Sequence, residues 1–162
     1  MDKKKILLLN PPARRVTFRD YYCSFTSKAY YYWPPIDLLV LSGILKNNHK
    51  VAVIDAIAEG LNSKDCQERV IAEKPDVIVF LTGTASWQAD FEFIATVKKA
   101  MPAVIIASGG LLLHQGAEFM KRFDFLDAVL LDFTSGDILK FLEKQDFQMG
   151  NLIYRRDGEI IP

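Results

Sequence analysis

The chain has two cysteines, two histidines, no net charge and no long apolar run, and each shortage removes a class of function. Cys23 and Cys66 are too few and too far apart for a disulfide framework, and they fit a reducing, cytoplasmic compartment. His49 and His114 have no Cys or His neighbour at zinc spacing. Twenty basic and twenty acidic residues cancel, whereas a nucleic-acid binder would carry a basic face. Nothing approaches the roughly 18 apolar residues of a membrane span. The basic start, Lys3-Lys4-Lys5, is followed only by Ile6-Leu7-Leu8-Leu9 before Asn10-Pro11-Pro12, too short for a signal peptide. No G-x-G-x-x-G follows the first apolar run, and there is no Walker A lysine pattern.

What is present is an alternating α/β pattern. Half of the 162 residues are apolar, enough for one sizeable core. Apolar runs recur at 6–9, 51–54, 77–81, 104–107 and 128–131, as expected of strands covered on both faces. Helical stretches lie between them: 35–46 beginning at Pro35, one N-capped by Ser63 and ending before Pro75, 87–100, 116–122 and 136–144. Strands alternating with helices give βαβ units and a parallel sheet. The expected fold is a flavodoxin-like (Rossmann-like) doubly wound five-stranded sheet, order 2-1-3-4-5, over residues 1–148. Residues 149–162 then read as a β-hairpin, with Asp157-Gly158 as its turn.

The most unusual segment is 10–34. It holds Phe18, Tyr21, Tyr22, Phe25, Tyr30, Tyr31, Tyr32 and Trp33, eight of the 19 aromatics, with Arg14, Arg15, Arg19 and Lys28 against one acid, Asp20. Connections that long are usually functional or disordered, and disordered ones are poor in aromatics. In a doubly wound sheet, ligands bind beyond the carboxyl ends of the strands, where the order reverses. Residues 10–34, Thr82-Gly83-Thr84-Ala85-Ser86 and Ser108-Gly109-Gly110 should meet there. Glycine lets a backbone approach a bulky ligand, and the hydroxyls supply donors and acceptors. Ordinary βα turns with a Ser86 cap are the plainer reading. His49 reads as a helix terminator whose charge suits the dipole. Asp55, closing the second strand, is placed to meet a ribose hydroxyl, and His114 lies just past the glycines. Cys23, near Arg19 and Lys28, has no histidine in its loop to activate it.

Two relatives in topology fit less well. A receiver domain needs carboxylates after strand 1, Asp after strand 3 and Lys after strand 5, where this chain has Asn10, Thr82 and Asp132. A flavodoxin cradles phosphate in a Thr/Ser loop after strand 1, where this chain has Pro11-Pro12-Ala13-Arg14.

Lys5-Ile6-Leu7-Leu8-Leu9-Asn10-Pro11-Pro12, Pro34-Pro35-Ile36-Asp37-Leu38-Leu39 and Leu41-Ser42-Gly43-Ile44-Leu45 look like the opening of a known family. Val51-Ala52-Val53-Ile54-Asp55-Ala56, Pro75-Asp76-Val77-Ile78-Val79, Thr82-Gly83-Thr84-Ala85-Ser86, Met101-Pro102 and Ser108-Gly109-Gly110 continue the likeness. Together they resemble the N-terminal cobalamin (vitamin B12)-binding domain of class B radical S-adenosylmethionine enzymes. The resemblance implies a corrinoid on the carboxyl edge of the sheet, its nucleotide tail entering near Thr82, Thr84 and Ser86 and passing Gly109 and Gly110. The cofactor-binding positions it implies are Asn10, Pro11, Pro12, Trp33, Asp55, Thr82, Gly83, Thr84, Ser86, Gly109, Gly110, His114 and Gly136. Residues 10–34 hold no histidine, so binding without a protein His ligand to cobalt is implied.

The resemblance further implies that S-adenosylmethionine and a [4Fe-4S] cluster belong to a missing radical domain, reached through the hairpin linker at 149–162. This segment alone has no C-x-x-x-C-x-x-C motif and would not catalyse; the full-length enzyme would be a methyltransferase or modify a tetrapyrrole or lipid. Family members usually show Gly-Gly-x-His and Gly-Glu-Gly-Glu after strands 4 and 5. Here Leu111 follows the glycine pair and Asp132-Phe133-Thr134-Ser135-Gly136-Asp137 stands at the second place. Bulk at Leu111 and charge at Asp132 motivate an alternative: a non-catalytic interaction domain with a closed pocket and an aromatic docking loop.

Overall fold

A computed structural model describes residues 3–29, 31–144 and 149–162. Tyr30 and the expected domain boundary at residue 148 lie outside the described residues. Strands β1 (Lys5–Asn10), β4 (Lys50–Asp55), β5 (Val77–Leu81), β6 (Val104–Ser108) and β7 (Ala128–Leu130) pair in parallel, and β8 (Leu152–Arg156) and β9 (Glu159–Ile161) follow antiparallel. The sheet order is β4-β1-β5-β6-β7-β8-β9. The sequence reading expects five strands and a hairpin linker, yet the sheet has seven. Leu152, Ile153 and Tyr154 pair with β7 and bury their side chains, so the hairpin is part of the sheet.

Successive residues of each strand face opposite layers. Leu7, Leu9, Ile78, Phe80, Ile105 and Ala107 pack against α2 (Ser63–Glu73), α3 (Trp87–Ala100) and α4 (Leu112–Arg122). Ile6, Leu8, Val77, Val79, Leu81 and Ile106 pack against α1 (Ile36–Leu45) and α5 (Asp137–Leu142). Burial on both faces is why the strands read as unbroken apolar runs.

Helix boundaries shift for local reasons. Asn62, not Ser63, caps α2, its side chain accepting from the Asp65 N–H at 3.0 Å. Helix α4 starts at Leu112 rather than at Gly116, because the Leu112 N–H reaches the Gly109 carbonyl and the turn runs straight into the helix. Gly116 sits inside α4, where a Cβ would press on Ile153 and Val129. The segment expected to be one long loop contains a second, two-stranded sheet: β2 (Thr17–Arg19) and β3 (Ser24–Thr26), paired Thr17↔Thr26, Phe18↔Phe25 and Arg19↔Ser24. Asp20 closes the turn by accepting from the Tyr22 and Cys23 N–H groups.

Candidate functional site at the carboxyl edge of the sheet

The strand order reverses between β1 and β5, so the ligand crevice of this fold lies at their carboxyl ends. The β2–β3 hairpin occupies it. Side chains alternate along a strand, so Thr17 and Arg19 face the body while Phe18 turns outward and stacks on Phe25, ring centroids 4.4 Å apart.

Arg19 is the centre of a buried polar network. Its Nη2 and Nε donate to the two carboxylate oxygens of Asp90 at 2.7 and 3.1 Å, and both side chains are wholly shielded from solvent. Nη1 donates to Asn10 Oδ1 at 2.9 Å, and Nε also reaches Ser86 Oγ at 3.0 Å. Asp90 further accepts from Thr82 Oγ1 and Ser86 Oγ. Burial pushes the Asp90 carboxyl up from its ordinary range, and the guanidinium and the two hydroxyls work against that push. Asn10 Nδ2 donates to Asp55 Oδ1 at 2.8 Å, extending the network to β4. Asp55 also accepts from the Ile57 and Ala58 N–H groups, which fixes its turn.

The glycines lie under this hairpin. A Cβ at Gly83 would collide with the Ser24 side chain, and one at Gly110 with the Tyr21 carbonyl. Gly109 (φ 144°) instead lets the backbone pass its own neighbour, the Thr82 carbonyl. Ser24 Oγ accepts from the Ala85 N–H at 3.1 Å. Small residues here do permit a close approach, and the approaching group is the chain's own hairpin.

Clefts flank the hairpin. One of about 330 Å³ is lined by Tyr21, Tyr22, Cys23, Gly110, Leu111 and His114. Another of about 540 Å³ is lined by Arg14, Arg15, Thr84, Ser86, Trp87 and Gln88. Behind the turn, Asp37 on α1 is 3% exposed, and its Oδ2 has no hydrogen-bond partner. Burial, then the Asp20 carboxylate, raises its pKa to about 6, against the N–H groups of Tyr21 and of Asp37 itself. Tyr21 is shifted up by burial and then by Asp132, while its ring meets Phe133 edge-on.

The structure thus brings Asn10, Asp55, Thr82 and Ser86 together, but through one another and Arg19. Gly83, Thr84, Gly110 and His114 border the first cleft, and Pro12 lines a third with Arg14 and Asn62. Pro11 is buried beside them. Trp33, 59% exposed, lines a small cavity with Asn10, Arg19 and Leu81, and Gly136 lies apart at the start of α5. Arg19, Tyr21 and Ser24 of the hairpin close over the crevice, while Tyr22, Tyr31, Tyr32 and Trp33 stay exposed. The sequence reading did not single out Asp90, counted Arg19 only within the segment's basic excess and beside Cys23, and gave Asp37 no role of its own. The available signal was an arginine flanking Phe18 inside an aromatic segment. His49 does end the turn after α1, but its ring is buried and its pKa lowered by burial, so it is not the charged cap expected. Among the described residues no group of His, Cys, Asp and Glu is placed to hold a metal ion.

No curated protein matches the sequence. Among solved structures, the cobalamin-dependent S-adenosylmethionine radical enzyme OxsB, with aqua-cobalamin and S-adenosylmethionine bound, superposes with a TM-score of 0.74 at 15% identity. The radical S-adenosylmethionine methyltransferase TsrM from Kitasatospora setae, with cobalamin and a [4Fe-4S] cluster bound, gives 0.72 at 18%. Each match covers 99% of this chain but only 22% and 30% of those chains, and at such identities the likeness is one of fold. The B12 binding domain profile matches residues 23–136, well over half of the sequence, and the chain belongs to that family.

Proposed function

We propose that this chain is the cobalamin-binding domain of a radical S-adenosylmethionine enzyme, of methyltransferase or tetrapyrrole- or lipid-modifying type, in the cytoplasm. The observation that carries it is the family match over residues 23–136, together with a glycine-lined shelf at the point where the strand order reverses. Bound cobalt would carry a methyl group, and the protein would supply orientation and a dry pocket.

The fit has two sides. In favour stand the close-approach glycines Gly83 and Gly110 and the orphaned Asp37 Oδ2, an acceptor suited to an amide N–H of a corrinoid. Against it, the hairpin fills the shelf, so the residues fit the group only with the hairpin moved. Residues 10–34 offer no histidine, so cobalamin would bind without a His ligand from the first loop. The β8–β9 hairpin would connect to the domain that holds S-adenosylmethionine and the cluster, extending the sheet on the way. The test is a titration with hydroxocobalamin and methylcobalamin, read by spectral change and retention through desalting. Micromolar retention is expected, and none at high micromolar ligand, by the wild type and by a variant with the crevice opened alike, would overturn the reading. The closed crevice favours a second reading, an interaction domain that has lost the cofactor, and failure to bind in every variant tested would establish it.

A further inference from the structure

We propose that the β2–β3 hairpin is a displaceable plug: without cofactor it occupies the crevice between β1 and β5 through Arg19, Tyr21 and Ser24, and a corrinoid enters only when the hairpin leaves. The inference rests on the cobalamin reading above and deepens it.

Three observations converge. The Arg19 guanidinium sits at the switch point and is held there by Asp90, Asn10 and Ser86, the place and the kind of groups a polar ligand would use. Ser24 and the Tyr21 carbonyl cover the open faces of the two shelf glycines, so ligand and hairpin compete for one space. The hairpin is also weakly built: three residues per strand, Phe25 49% exposed and Tyr22 86% exposed. A two-stranded hairpin is marginal by itself, so its docking depends on these few polar ties. When the hairpin departs, Thr82 and Ser86 still donate to Asp90 and Asn10 to Asp55, and the opened crevice lets water reach the carboxylate that Arg19 had paired.

A ligand whose competent state is a minor one binds with affinity reduced by that fraction. Loosening the plug should therefore tighten binding. Ser24→Gly removes the side chain over Gly83 and the acceptor of the Ala85 N–H while leaving the Arg19–Asp90 pair intact. The experiment titrates wild type and Ser24→Gly with hydroxocobalamin and follows amide hydrogen exchange in the wild type with and without it. Expected are faster exchange across 17–26, slower exchange at 82–84 and 108–111, and affinity in Ser24→Gly higher by about fivefold or more. Binding by the variant alone also supports the plug. Binding with 17–26 equally or better protected overturns it and leaves the cobalamin reading standing. No binding by either protein removes that reading and the plug with it. Where affinity and exchange disagree, the wild-type exchange decides.

Discussion

At the scale of single residues, the site is governed by two buried carboxylates with opposite fortunes. Asp90 has a guanidinium and two hydroxyls, so it is fully answered, and breaking the pair leaves an uncompensated buried charge. Arg19→Met is expected to cost about 3–5 kcal/mol in urea denaturation, and Arg19→Met with Asp90→Leu to recover much of it. Asp37 is answered on one side only. Its carboxyl protonates more readily in the folded chain, near pH 6, than in the unfolded chain, near 3.8. It therefore adds stability below about pH 4 that is lost as the pH rises through about 6. Asp37→Asn, facing Asp20 and Tyr21, should match wild type at pH 4. At pH 7 it should exceed wild type by about 1 kcal/mol. Melting curves at both pH values check it; a gap that shrinks with rising pH would contradict the assignment.

Among the elements, the hairpin decides how the edge behaves. Gly110→Ala places a methyl against the Tyr21 carbonyl, a backbone atom that yields only if the turn moves. The sheet should survive with unchanged circular dichroism while exchange across 17–26 accelerates. Gly83→Val both evicts Ser24 and fills the shelf, so corrinoid affinity should fall by about tenfold, roughly 1.4 kcal/mol. A folded Gly83→Val protein with undiminished affinity would mean that no ligand passes this turn. The parallel strands were legible because burial on both faces leaves unbroken apolar runs. The β2–β3 hairpin was not, because its alternation is inverted. Arg19 and Thr17 point inward and Phe18 outward, a pattern that only a buried carboxylate 71 positions away explains. Aromatic content marked the segment as functional without revealing that its arginine holds it in place.

For the molecule as a whole, the layered fold and the family were readable, and which residues lie over the crevice was not. Order and spacing of turns specify strand connectivity, whereas occupancy of a cleft depends on side-chain geometry between distant segments. The same holds for the sheet edge: Leu152-Ile153-Tyr154 reads as a separate hairpin until β7 is seen to lack another partner on that side. Helix α1 has a further consequence. It is apolar nearly all round, with Ile36, Leu39 and Val40 40%, 47% and 37% exposed and Asp37, its one charged residue, turned inward. Beside it stand Tyr31, Tyr32 and Trp33, at 73%, 59% and 59%. A helix of that character normally sits beneath a cover. Uncovered and with zero net charge, this molecule has little colloidal repulsion to keep its copies apart. Its sedimentation coefficient should climb with concentration in dilute buffer, and Leu39→Lys should flatten that climb without altering the melting temperature by more than a few degrees.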